Sequence, residues 1–436
     1  MGLGRNTVFT LLNVLAILSL NLVIARPINY PLTIAPIFMV LFIFLFFYPP
    51  NLAKQKKILT LFLILLLFPF INVFQISFGS EELINFLRTY SLWGFSVVCV
   101  VIALMANIRK AAFSLETVAQ IVLVLLTALL IMQVTFDYAF GDTTLFSMLD
   151  KFSFGGVVQL NRFAVLGAVR PIGLYFEPSI CALVMVTMMT ILLLRDKLFT
   201  AVGFVGAVGI VITTSFFGYV ALAILLLVYI FGRMRGAKGL VNNYPLSRLL
   251  IWVFFLGGFI FFYNNLQTAS ISPISRAAEV SHSISPISPI SSTANESSSY
   301  ERLVKPISVL RDVVLNHPSG IVFGRFPAPE FQTIDYHLPN GEIVSFTLNN
   351  GFYILIFSFG WVGIAAVLLF LSWLTYRSVL RMEFNQLVLL TYIFLSFGVT
   401  GMIFRPEYVT LLLLTIYQYR ISSMVSCGNV NGLRSQ

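Results

Sequence analysis

Apolar residues in this chain come in long blocks separated by short polar breaks, and the blocks recur from one end to the other. They cover roughly residues 7–25, 32–49, 58–78, 90–107, 115–136, 174–194, 198–214, 217–232, 249–265, 350–373, 384–403 and 408–421. Blocks of this size suit the ~20 apolar residues a helix needs to cross the ~30 Å hydrocarbon core of a bilayer. A transmembrane barrel would show short alternating segments instead. Residues 198–231 could form one helix, but at about 1.5 Å per residue it would run roughly 50 Å, too long for a bilayer core. Thr213-Thr214-Ser215 near its middle favours two short spans meeting at a surface. The pattern therefore predicts an all-α polytopic integral membrane protein with about twelve transmembrane helices. The first block continues into further apolar sequence without a small-residue cleavage site and is read as a span, not a removed signal peptide.

The loops set the orientation. Lys54, Lys56 and Lys57 follow the second block, Arg109 and Lys110 the fourth, and Arg195 and Lys197 the sixth. Arg233, Arg235, Lys238 and Arg248 follow the eighth, and Arg377 and Arg381 the tenth. With alternating spans these loops share one side, which the positive-inside rule makes cytoplasmic. Of the 17 acidic residues, only Glu116, Asp196 and Glu383 fall there. Both termini are then cytoplasmic. The expected organisation is 1–136 as spans one to five, 137–173 as a first large outer loop, and 174–265 as spans six to nine. A second large outer loop follows at 266–349, then spans ten to twelve at 350–421 and a cytoplasmic tail at 422–436. The second loop opens with a Ser/Pro/Ile-rich insert at 270–299 whose composition cannot bury a core. It continues into an amphipathic segment with Leu303, Ile307, Leu310 and Val314 at helical spacing.

Composition sharpens this picture. Hydrophobic residues make up 58% of the 436 and charged residues only 10%, against about 25% charged in soluble domains. The net charge of +10 lies in the loops between spans and is not a nucleic-acid surface. Cys99, Cys181 and Cys427 have neither disulfide-framework nor metal-ligand spacing. His282, His317 and His337 share one region without a ligand pattern. His317 and His337 read as ordinary loop residues, or else as a base near neutral pH.

Four features on the expected outer face carry chemistry. Arg170 and Glu177 lie in VRPIGLYFEPSIC, with Pro178 at the first position of span six. Ser215 lies in SFFG at the break between spans seven and eight, and SSSYER (297–302) leads on to Gly324-Arg325. Arg405-Pro406-Glu407-Tyr408 opens span twelve. The first and fourth share a design of arginine, proline at a helix start, and glutamate in or before the first turn. Each has an ordinary reading, since a carboxylate at a helix N-terminus stabilises the dipole by about 0.3–1 kcal/mol and an arginine near a bilayer snorkels to headgroups. Their accumulation shifts the balance: eleven of the 27 Lys and Arg residues fall outside, against the positive-inside bias. Guanidiniums clustered at helix N-termini make a receptor for a diphosphate.

GLYFEPS, SSSYERLVKP, TLNNGFYILIFSFGW and MIFRPEYV occur here in that order. On these motifs the chain, from about 170 to 420, resembles the Wzy-type O-antigen and exopolysaccharide polymerases, and within them it looks closest to the colanic acid polymerases. The first five spans resemble that family in hydropathy only, and the Ser/Pro/Ile insert is foreign to it. Arg162 and Gly173 repeat an Arg-x10-Gly spacing of some O-antigen polymerases, a match that 28 glycines make easy. The resemblance implies transfer of a growing glycan from undecaprenyl diphosphate to the next lipid-linked repeat unit, at the periplasmic face of the bacterial inner membrane. It implies no cofactor and no metal, in keeping with the lack of a DxD-like pair. The partners implied are lipid-linked oligosaccharides, a chain-length regulator, a flippase and the bilayer, with no nucleic acid. The expected diphosphate-binding residues are Arg170, Arg302, Arg325 and Arg405. Glu177 or Glu407 is the expected base, Glu177 being preferred because it follows a large loop. Tyr175, Ser215, Tyr300, His317, Asn350 and Tyr408 are the candidate sugar contacts. An O-antigen ligase is the nearest alternative, but ligases carry a His-Asn pair where this chain has Asn349-Asn350, leaving His337 as the only nearby imidazole. A flippase or other secondary transporter is the alternative from another class. It would show repeat symmetry and midplane charges, neither of which is found.

Overall fold

The computed structural model of the chain describes residues 5–20, 23–25, 32–48, 80–105, 107–108, 115–140, 171–175, 177–236, 333–337, 343–347, 351–380, 384–399 and 405–426. Within these the architecture is helical, with three short antiparallel strand pairs. The helices are α1 (Arg5–Leu18), α2 (Ala35–Phe46), α3 (Ser80–Met105), α4 (Leu115–Phe140) and α5 (Pro178–Leu194). They continue as α6 (Ala201–Ile212), α7 (Phe216–Gly236), α8 (Gly351–Leu380), α9 (Phe384–Val399) and α10 (Pro406–Ser426). Ten of the twelve predicted spans fall on these helices. The spans expected at 58–78 and 249–265, the insert at 270–299 and the tail beyond 426 lie outside the described residues.

The helix ends depart from the apolar blocks where local chemistry overrides hydropathy. Span six begins at Pro178, not at residue 174, because Leu174 and Tyr175 belong to a tight turn before it. α1 stops at Leu18, where the Ser19 hydroxyl bonds back to the Leu15 carbonyl at 2.6 Å. Residues Val23–Ala25 then pair as β1 with β2 (Leu32–Thr33). α3 reaches back to Ser80, whose Ser-Glu-Glu sequence is a helix-start signal. The expected break at Thr213–Ser215 is present, with Thr214 at φ 51°. α8 bends at Gly360 (φ 57°, ψ −135°), a kink that hydropathy does not show. Within the stretch expected as the second large loop, β5 (Thr333–His337) and β6 (Ile343–Thr347) pair antiparallel in the register Thr333↔Thr347 to His337↔Ile343. β3 (Phe47–Tyr48) and β4 (Asn107–Ile108) pair where α2 and α3 end.

α5 is the centre of the bundle. All seventeen of its residues are buried, as expected for a helix that is apolar all round. It packs against α4, α6, α7, α9 and α10. α10 in turn packs against α2, α3 and α9. On the latter side, the Phe42, Phe46 and Phe47 rings surround Tyr417 with centroids 5.4–5.9 Å away, in the tilted and edge-on arrangements that aromatic pairs prefer. α4 meets α6 through Gly209, where a Cβ would run into Thr127 and Met185. Small residues of this kind let membrane helices approach closely.

α4 is apolar on both of its faces. Val118, Ala119, Val122, Leu123, Leu126 and Leu130 are buried, whereas Ile121, Val124, Leu125, Ile131 and Met132 are exposed. A water-facing helix face would be polar, so an exposed apolar stripe of this length requires a lipid or protein cover. Leu115–Phe136 is, among the described residues, the one helix long and apolar enough by length and composition to cross a membrane, and the other apolar helices are shorter.

The long-range polar contacts sort the bundle into two ends. At one end Arg195, after α5, lies 3.9 Å from Glu116, at the start of α4. There too, Arg420 donates to the Ala103 carbonyl at 2.7 Å. The opposite end holds the starts of α5 and α10 together with β2 and the turn at Ile172–Tyr175.

Candidate functional site

The starts of α5 and α10, which carry Glu177 and Glu407, come together at this second end. Glu177 is the N-cap of α5, in extended conformation, with Pro178 in the first helical position. Its carbonyl accepts from Ile180 and Cys181 N–H, each at 3.1 Å, which a missing Pro178 N–H does not disturb. Its carboxylate makes no cap to the helix amides but accepts from the Ser179 hydroxyl at 2.7 Å. The side chain is half-buried.

Arg405 sits just before Pro406 at the start of α10, and its carbonyl accepts from Val409 N–H at 3.1 Å. Glu407 follows in the first turn, where the positive end of the helix dipole favours a carboxylate. Both side chains are 7% exposed. One Glu407 oxygen accepts from the Thr33 hydroxyl of β2. The other is buried and has no hydrogen-bond partner among the described residues. A small cleft opens here, with room for about one water molecule. Tyr175, Glu407 and Tyr408 line it together with Leu20, just after α1, and leucine, isoleucine and valine side chains of α5 and α10. A buried carboxylate with one oxygen held and one oxygen open can accept a proton from a hydroxyl placed beside it.

The aromatic candidates are held tightly. Tyr175 is fully buried and its hydroxyl donates to the Ile17 carbonyl at 3.0 Å. The Tyr408 hydroxyl shares a hydrogen bond with Ser396 at 3.0 Å. The first hydroxyl therefore ties the turn before α5 to α1, and the second ties α10 to α9. Ser215 is buried and caps α7, receiving Gly218 N–H at 3.4 Å. It is not among the residues of the cleft. Arg170, Tyr300, Arg302, His317, Arg325 and Asn350 lie outside the described residues.

Two polar residues join the site that sequence reasoning passed over. Thr33 reaches Glu407 across 374 positions of chain. Gln133 of α4 is fully buried and binds the backbone of Ile172 and Gly173. The signal for Gln133 was available: an amide near the end of an apolar span is costly unless satisfied, and so points to a role. Thr33 gave no such signal, since a threonine at a block edge is ordinary.

A family model described as WcaD colanic acid polymerase matches residues 8–421. A protein of Escherichia coli (strain K12) described as a "putative colanic acid polymerase" is 26% identical over 284 residues. That match covers 62% of this chain and 62% of the relative, so the chain spans less than two thirds of the relative's length. No solved structure matches the chain.

Proposed function

We propose, for a chain that belongs to the WcaD colanic acid polymerase family, that it polymerises a lipid-linked repeat unit at the outer face of the bacterial cytoplasmic membrane. The observation that carries the reading is the meeting of the starts of the central helix α5 and of α10, which bring Glu177 and Glu407 to one end of the bundle, with Glu407 lining a small cleft there. The family supplies the glycosyl transfer; the donor, the membrane face and the residue roles are the proposal.

In the proposed reaction the donor is a glycan on undecaprenyl diphosphate and the acceptor is the next lipid-linked unit. The acceptor hydroxyl oxygen attacks the anomeric carbon of the donor's reducing-end sugar. The bond from that carbon to the diphosphate oxygen breaks, and the diphosphate leaves with the electron pair. The hydroxyl proton passes to a carboxylate, Glu407 or Glu177. Arg405 and Arg170, with Arg302 and Arg325 from the second outer loop, stabilise the charge growing on the departing diphosphate. The Glu407 oxygen that has no hydrogen-bond partner among the described residues supports Glu407 as a candidate base beside Glu177, which the sequence alone favours. Tyr175 and Tyr408, both buried, are assigned to holding the two helix starts in place, leaving Tyr300, His317 and Asn350 as candidate sugar contacts from the outer loop and span ten. Ser215 is assigned to capping α7, not to sugar binding.

The test is complementation of a strain lacking the protein, with the surface glycan resolved on a gel. Loss of long chains with single repeat units still attached to their acceptor supports a polymerase. Loss of all attachment indicates a ligase, and lipid-linked units accumulating inside indicate a flippase. Arg170→Ala and Arg405→Ala both giving normal polymer length and amount would overturn the assignment of the diphosphate site.

A further inference from the structure

The turn at Ile172–Tyr175, which leads into Glu177 and α5, is held from α4 by one side chain. Gln133 Oε1 accepts from Ile172 N–H at 3.1 Å and from Gly173 N–H at 3.0 Å. Gln133 Nε2 donates to the Gly173 carbonyl at 3.0 Å. Two N–H donors on one atom fix that atom as the amide oxygen, so the orientation of the side chain follows from the network. Gly173 therefore has both backbone polar groups bound to a single residue, in a conformation with φ +64°. The turn then closes through Tyr175 N–H to the Ile172 carbonyl at 3.2 Å. Tyr175 is pinned at its far end by Ile17, and Glu177 caps α5 two residues later.

We infer that Gln133 is a positioning residue for the catalytic end of the protein, acting by fixing the turn that leads into Glu177 at the start of α5. The inference rests on the reading of Glu177 given above. A glutamine that only satisfied buried amides could sit anywhere along the turn. This one grips the residue where the chain reverses, and the next fixed points along the chain are Tyr175 and Glu177. Displacements of about 1 Å in a group that must meet a reacting atom cost up to ~100-fold in rate, so loosening this clamp affects the reaction as well as the fold.

The test uses the full-length protein in a strain lacking it, with polymer output divided by the amount of protein in the membrane. Gln133→Leu keeps the size and the apolar character of α4 while removing all three hydrogen bonds. Gln133→Glu, held neutral by burial, keeps a carbonyl acceptor for both N–H groups and an O–H donor for the Gly173 carbonyl. Gln133→Leu is expected to lower output per molecule by about tenfold or more, and Gln133→Glu to restore most of it. Glu177→Gln is expected to lower output alone, and the Gln133→Leu/Glu177→Gln double variant to fall no further than Glu177→Gln. Normal output from Gln133→Leu with Glu177→Gln impaired overturns this inference alone, as does a double variant showing the product of the two losses. Output that only follows protein abundance, or failure of both Gln133 variants to reach the membrane, reduces Gln133 to a folding residue and overturns it too. Normal output from Glu177→Gln overturns the reading of Glu177 and this inference with it.

Discussion

Replacing Gly173 by alanine strikes the turn beneath Glu177 in two separable ways. The backbone at Gly173 has φ +64°, a region where a Cβ costs about 1–2 kcal/mol. An alanine Cβ there would also stand 2.9 Å from Cys181 Sγ, with Leu126 and Leu130 at 3.8 and 3.9 Å. Cys181 is fully buried on the central helix and cannot swing into solvent. Forcing a methyl into such packing costs typically about 1–3 kcal/mol. The turn cannot escape by changing conformation, because Gln133 holds both polar groups of Gly173. The expected destabilisation is thus about 2–5 kcal/mol, the sum of the two effects. Cys181→Ala separates them, since removing the sulfur relieves the clash and leaves the backbone strain. In a double-mutant cycle read by SDS titration of the purified protein in mixed micelles, Gly173→Ala should be about 1–3 kcal/mol less damaging in the Cys181→Ala background. Strict additivity would refute the clash. A Gly173→Ala protein as stable as the parent would refute both the clash and the positive φ.

Other perturbations address other contacts. Thr33→Val, nearly isosteric, removes the hydrogen bond to Glu407 and leaves a buried carboxylate unsupported, so the same titration should show a loss of about 1–3 kcal/mol together with reduced polymer. Unchanged stability and output would mean that Thr33 does not hold Glu407. Gly209→Ala drives a methyl into Thr127, whose hydroxyl is bound to the Val205 carbonyl at 3.1 Å, and into Met185. It should weaken the α4–α6 contact by about 1–3 kcal/mol, and an alanine variant of parental stability would argue against this close approach. Tyr392→Phe removes the 3.0 Å hydroxyl contact with Thr187 between α9 and α5. Interhelical hydrogen bonds in membrane proteins average about 0.6 kcal/mol, so the expected loss is small, and a value several times larger would mean that the hydroxyl does more than join two helices.

Much of the local architecture was readable along the chain. Pro178 and Pro406 mark helix starts because a residue without an N–H loses nothing in the first helical position. Thr213–Ser215 marks a break because the apolar run is too long for one span. The likeness of the Glu177 and Glu407 surroundings was visible as a repeated residue pattern, and both fall at one end of the bundle. These features depend on neighbours within a few residues, which a sequence displays directly. The predicted spans overran α1 and α5 because hydropathy cannot see that Ser19 back-bonds to a carbonyl or that Leu174 and Tyr175 lie in a turn.

What only the tertiary structure decided is which distant residues support the site. The contacts that hold it run from Gln133 to Gly173, from Tyr175 to Ile17 and from Thr33 to Glu407, over separations of 40, 158 and 374 residues. No periodicity encodes such pairings, because each exists only once helices have packed and left a polar group that must be satisfied in an apolar interior. The centrality of α5 is of the same kind. Its composition says that it is apolar all round, which fits a lipid-facing helix as well as a buried one. Enclosure by five other helices decides for burial. The chain itself fixed where helices form and where charge meets a helix start; packing decided which of those starts meet, and which Glu407 oxygen Thr33 holds.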